Sequence, residues 1–173
     1  HLHPAIASKA ERGYNLFLDA PLLPFKARPA SINADMSPVD AFRAIALNCL
    51  EHFQRNEAGL LTRDDPEFVH QARVALRRLR SAIKLFAPVL PADFVAAYGQ
   101  TWQTLAAALG EARNWDVFLS ETLPPFQAAF PSDKDGKRLQ KIAQRKARNA
   151  RQSVAALLAV DEYPRLLLEF TAA

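Results

Sequence analysis

The sequence predicts an all-α protein, an antiparallel helical bundle behind a short irregular or β-like N-terminal segment. Three observations carry that expectation. Only five glycines occur among 173 residues, and β-branched runs are scarce, so local preference favours helix over strand. Ser37-Pro38 and Asp65-Pro66 each put a capping side chain before a proline at the first helical position, where a missing amide hydrogen costs nothing. Between such starts the apolar residues return every three or four positions, which gathers them on one helix face. Half of the residues are hydrophobic, enough for one compact core.

Residues 1–33 read differently from the rest. They hold Pro4, Pro21, Pro24 and Pro29, with a short apolar piece, Tyr14-Asn15-Leu16-Phe17-Leu18, that suits a strand. The expectation there is a linker or the remnant of a preceding domain; residues 34–173 form the helical unit. Ser37-Pro38 opens a helix to about Arg55, and Asp65-Pro66-Glu67 opens a second to Phe86, ended by Pro88. Pro91-Ala92-Asp93 opens a third, rich in alanine and leucine, to about Leu109, with Gly110 as its stop. Asn114 caps a shorter helix through Thr122, closed by Pro124-Pro125. Ser132-Asp133 introduces a long helix to about Ala159, and Asp161 a final segment from Tyr163 to Phe170. The chain starts at His1 rather than Met, which suits a fragment of something longer.

The net charge is only +4, but it is unevenly spread. Residues 69–92 carry five Lys/Arg and no acid; residues 134–151 carry eight against Asp135 alone. Elsewhere acids outnumber bases, 17 to nine. Two basic segments on an otherwise acidic chain describe a localised anion site rather than a generally adhesive surface.

In the second helix His70, Arg73, Arg77, Arg80 and Lys84 fall within an arc of about 80°, along about 21 Å of axis. Val69, Ala72, Leu76, Leu79, Ile83 and Phe86 share a neighbouring arc of about 100° that faces the core. Like charges three and four residues apart repel, and no acid in the segment offsets them. A solvated charged face would mix lysine with glutamate; this one is chiefly arginine, which favours bidentate contact with phosphate or carboxylate. The helix from Lys137 repeats the pattern with Arg138, Lys141, Arg145 and Arg148, widened by Lys146 and Arg151, while Leu139, Ala143, Ala150, Val154 and Leu157 mark its packed side. Were the two helices neighbours, their stripes would wall one groove. A basic amphipathic helix also suits a membrane surface or an acidic partner.

His70 lies on the cationic arc with no second histidine at helical spacing, so hydrogen-bond donation to phosphate fits it better than metal ligation. His52 reads as a helix-surface residue, and His1 and His3 as terminal. Arg113 and Asp116 sit at the expected helix junction; a salt bridge and cap account for Asp116, while Arg113 also reaches toward the anion site. Trp102 and Trp115 read as core anchors.

The run Val69-His70-Gln71-Ala72-Arg73-Val74-Ala75-Leu76-Arg77-Arg78-Leu79-Arg80, with Phe86 and with Leu109-Gly110 through Val117, resembles the CHAD domain, the conserved histidine α-helical domain, over roughly Ser37 to Phe170. The resemblance implies two related four-helix bundles that bind inorganic polyphosphate in a basic channel, often behind a CYTH triphosphatase domain. Ser8-Lys9-Ala10-Glu11-Arg12-Gly13-Tyr14 is similar to the end of such a CYTH domain. This chain then corresponds to the first four-helix bundle. Carried over by motif, the polyphosphate role falls to His70, Arg73, Arg77, Arg80 and Lys84, followed by Arg113, Lys137, Arg138, Lys141, Arg145 and Arg148. Two departures stand out: Asn114 occupies a position where the family often has Asp, and no second histidine with a basic helix follows Arg151. A complete channel would need a second bundle or a second copy of the chain, a homodimer.

The leading expectation is a non-catalytic polyphosphate-binding module, without cofactor or metal. Nucleic-acid binding is the alternative, but the stripe carries no aromatic platform for stacking and no Asn or Gln beside its arginines for base reading. Accessory service to an inorganic triphosphatase is another; the Glu-x-Glu-x-Lys that such an enzyme uses to hold metal is absent, and no Walker loop, zinc helix or nucleophile elbow occurs. The single cysteine, Cys49, suits a reducing cytoplasm, and association with polyphosphate granules would follow from the ligand. No apolar run approaches the ~20 residues of a membrane span.

Overall fold

A computed structural model describes Ile6, residues 8–131 and residues 133–173. His1, His3, Pro4 and Ser132 lie outside the described residues. Ser8 accepts a hydrogen bond from the Glu11 amide and starts α1, Lys9–Phe17. The apolar piece expected as a strand is therefore helical as far as Phe17, and Asp19, with φ 47°, turns the chain out of it. From there to Met36 the chain holds no helix or strand. It does not hang free, because the Asn56 side chain accepts from the Phe25 amide at 3.0 Å and donates to the Phe25 carbonyl at 2.9 Å. Residues 20–33 thus lie across the bundle as a strap.

Ser37 caps α2, Pro38–Thr62, by accepting from the Asp40 amide. It runs two turns beyond Arg55, because Gly59 allows the next helix to close on it: an added Cβ would stand 2.1 Å from the Phe68 ring. Asp65 accepts from the Glu67 amide and starts α3, Pro66–Phe86, which leads into a 3₁₀ turn, Ala87–Val89. Both ends match the sequence expectation.

The largest departure follows. α4 spans Ala92–Val117 and passes through Gly110 and Asn114, so neither the stop nor the cap exists. It continues into a π-helical turn, Phe118–Thr122, and α5, Leu123–Ala129. Pro124 and Pro125 have no amide hydrogens to give to the carbonyls four residues back. The ladder widens just ahead of them, and the Leu123 amide donates to the Phe118 carbonyl. Asp133 caps α6, Lys134–Ala159, and α7 covers Glu162–Ala172.

Helix α3 packs on α2 and α4, and α4 packs on α3 and α6. Trp102, Phe53, Leu76, Leu79 and Leu109 are fully buried between them, and α6 and α7 add Val154, Leu158, Leu167 and Phe170. The core face expected for α3 is buried, with Phe86 packed at its edge. On α6 the expected Leu139 is 42 % exposed; Ala143, Ala147, Ala150, Val154 and Leu158 make the buried row instead. Small residues there let α6 approach α4 closely. The Tyr163 hydroxyl donates to Glu57 at 2.8 Å, and burial beside that carboxylate raises the phenol's pKa. No described helix is long and apolar enough to cross a membrane.

Candidate functional site: a basic helical face

The described cations of the chain can be sorted by whether the fold gives them a partner. On α3, Arg77, Arg80 and Lys84 are exposed, and His70 and Arg73 are half-buried. Among the described residues none of the five makes a hydrogen bond or an ion pair, and the same holds for Lys137, Arg138, Lys141, Arg145 and Arg148 on α6, all exposed. Arg113 sits between, half-buried on α4, with Glu121 only at 3.9 Å. It does not pair with Asp116.

Four other arginines behave otherwise, although Arg43 and Arg63, both exposed, also have no partner among the described residues. Arg78 belongs to the same basic run but turns toward α2, donating to Asn48 at 2.9 Å and to the Arg28 carbonyl at 3.3 Å. Arg55 donates to Glu51 at 2.8 Å and to Glu11 at 3.0 Å. Arg28 and Arg55 also flank the Phe25 ring, with guanidinium carbons 4.7 and 5.0 Å from its centroid. Arg151, grouped in the sequence with the α6 stripe, is bound by Asp116 at 2.8 Å and by Asp64.

Arg73 owes its position to Gly110. A Cβ added there would lie 2.7 Å from Arg73 Nη1, so the bare α4 backbone makes room for the guanidinium. Gly110 is therefore not the helix stop that its position in the sequence suggests. α3 and α6 each pack along α4 rather than along each other, so the two stripes do not face one another as the walls of one groove. The outer side of α4 between Ala96 and Ala107, including Gln100, Thr101, Gln103 and Thr104, is exposed and uncharged.

His52 differs from its surface expectation: it is 1 % exposed. Its Nε2 meets Gln71 Oε1 at 2.9 Å, and the Gln71 amide is oriented by donating to Glu67 at 2.7 Å. The imidazole is thereby a donor at Nε2, and its Nδ1 makes no hydrogen bond. Burial lowers the His52 pKa, opposed by the Gln71 bond and the Phe25 backbone, and reinforced by Arg78. Gln71 thus faces α2 while His70, its neighbour, faces outward. No described group of three or more His, Cys, Asp or Glu side chains is placed to hold a metal.

The family model described as the CHAD domain matches residues 44–173, well over half of the chain. The crystal structure of the CHAD domain from the plant Ricinus communis is similar, with TM-score 0.74 and 39% sequence identity. The similarity covers 87% of this chain and 50% of that one, so this chain spans half the length of its solved relative. No curated protein matches the sequence.

Proposed function

This chain belongs to the CHAD domain family, and on that premise we propose that it binds inorganic polyphosphate, without catalysis, on the basic face of α3. The observation that carries this reading is the unpaired state of His70, Arg73, Arg77, Arg80 and Lys84 in a fold that partners Arg55, Arg78 and Arg151. Self-repelling cations on a rigid helix are stabilised by a linear polyanion, which brings one phosphate after another along the axis. The outer side of α4 from residue 96 to 107 adds no acid to compete with such a ligand. Arg113 and the α6 cations extend the same surface, and a second bundle or second copy of the chain would enclose it into a channel. Location in the cytoplasm, at polyphosphate granules, follows from that ligand as part of the proposal.

The test replaces Arg73, Arg77 and Arg80 together with Gln and measures affinity for long-chain polyphosphate. Each charge-assisted contact is worth about 1.5–3 kcal/mol, so a loss of at least about a hundredfold is expected. The melting temperature without ligand should not fall, because the replaced charges repel. Unchanged binding would remove these residues from the site. Displacement of polyphosphate by RNA at equal phosphate concentration would favour nucleic acid instead.

A further inference from the structure

Beneath the first turn of α3 lies a cavity of about 430 Å³, lined among others by Asp64, Pro66, Ser120, Gln144, Arg148 and Arg151. Helix geometry puts Pro66 at the same angle as Lys84, inside the arc of the α3 stripe. Followed toward the start of α3, the stripe runs into this cavity. On α6, Lys137, Lys141, Gln144 and Arg148 share an arc of about 60°, and Gln144 and Arg148 line the same space. The two basic rows therefore meet end to end here, although they do not face each other.

Arg151 stands at the meeting point with a largely buried side chain, 18% exposed. Its Nη2 donates to Asp116 and its Nη1 to Asp64. These carboxylates are not equivalent. The Asp116 side chain is 4% exposed and belongs to the packed interior; that of Asp64 is 96% exposed and has no other partner among the described residues. Asp116 fixes the guanidinium from inside. Asp64 reaches in from solvent and covers its outer edge, the place an anionic ligand oxygen would take. An exposed ion pair of this kind is worth only about 0–1 kcal/mol. A polyanion already anchored on a neighbouring row competes for that edge at high effective concentration. Arg148, opening on the same cavity, has no acid of its own.

We propose that Arg151 is a phosphate-binding joint between the two rows, covered at rest by Asp64 and uncovered when a polyphosphate chain crosses from one row to the other. This rests on the polyphosphate reading and adds to it a dependence on chain length. The α3 stripe extends about 21 Å and the α6 row about 16 Å. A polyphosphate held on one row alone never meets Asp64, whereas one spanning both must displace it.

The experiment titrates the wild type, Asp64→Asn and Asp35→Asn with long-chain polyphosphate and with tripolyphosphate. Asp35 is exposed and outside the cavity, so its variant makes the same change in net charge elsewhere. Asp64→Asn should bind the long chain about two- to fivefold more tightly, the range set by one weak ion pair. Tripolyphosphate should gain less than twofold, and Asp35→Asn should leave both ligands at wild-type affinity. An equal gain in Asp35→Asn, an equal gain for tripolyphosphate, or no gain at all would overturn the joint. If the wild type binds while Asp64→Asn does not tighten, the joint alone fails. If the wild type binds no polyphosphate, the reading of the stripe fails with it.

Discussion

The face of α3 that carries Arg73, Arg77 and Arg80 and the sites that hold Arg55, Arg78 and Arg151 use one residue type in opposite ways. Arg55, Arg78 and Arg151 are partly buried, and each is hydrogen-bonded to the protein across a long sequence separation. Without ligand their charge is engaged in joining elements: α2 to α1, α3 to the strap, α6 to α4. On the α3 face the guanidinium groups have no protein acceptor, and what fixes them is the rigidity of the helix beneath. The difference shows that basic composition by itself is not a site. What marks one is a set of cations for which the fold provides placement and no counter-charge.

The sharpest way to break this contrast is to remove a counter-charge from the structural set. Asp116→Ala leaves the largely buried Arg151 with only the exposed Asp64. Breaking a buried pair by deleting one member costs about 3 kcal/mol, or roughly 6–12 °C of melting temperature at this chain length. A loss under 1 °C would show that Arg151 is no more structural than the stripe. The predicted result sets Arg151 apart from Arg73 and Arg77, whose replacement is expected to leave melting unharmed.

Two glycines sharpen the comparison further. At Gly59 a Cβ would stand 2.1 Å from a Phe68 ring that is itself 1 % exposed. Gly59→Ala should therefore destabilise by about 2 kcal/mol through overpacking. At Gly110 the near atom is the end of the Arg73 side chain, which can swing away. Gly110→Ala should then gain up to about 1 kcal/mol of helix propensity while displacing Arg73 from its seat. The expected pattern is unchanged or higher melting with polyphosphate affinity reduced about threefold, one weakened contact. A variant that melts lower and binds normally would assign Gly110 to packing alone.

The same glycine shows what the sequence could and could not disclose. The bounds of α3 were readable because Asp65-Pro66 and Pro88 act through local backbone chemistry. The stripe and the core face of α3 were readable because both follow from periodicity. Gly110 was misread because a glycine that ends a helix and one that admits a neighbouring side chain look alike in one dimension. The π-helical turn before Pro124 was missed for a related reason: prolines announce a disruption without saying that the rod continues through it. Arg151 lost its place in the α6 stripe to Asp64, 87 positions away, which no local pattern foretells. The end-to-end meeting of the two rows likewise depends on how α6 lies against α4.

His52 and His70 bring the contrast down to one residue type on adjacent helices. His70 stands half-buried on the open face, and His52 is enclosed between Gln71, the Phe25 ring and Arg78, with Arg28 and Arg55 also against that ring. The folded protein depresses the His52 pKa, whereas in the unfolded chain it lies near 6.5. Below pH 6.5 the unfolded chain thus binds more protons at this site, and stability falls as pH drops. Above 6.5 the contribution is fully present. The wild-type melting temperature should decline gently between pH 6.5 and 5, before most carboxylates titrate, and His52→Gln should decline less over that interval. Since Glu67 holds Gln71 in its acceptor orientation, a Gln at position 52 retains a donor for that bond. Identical pH slopes in the two proteins would show that burial does not depress the His52 pKa.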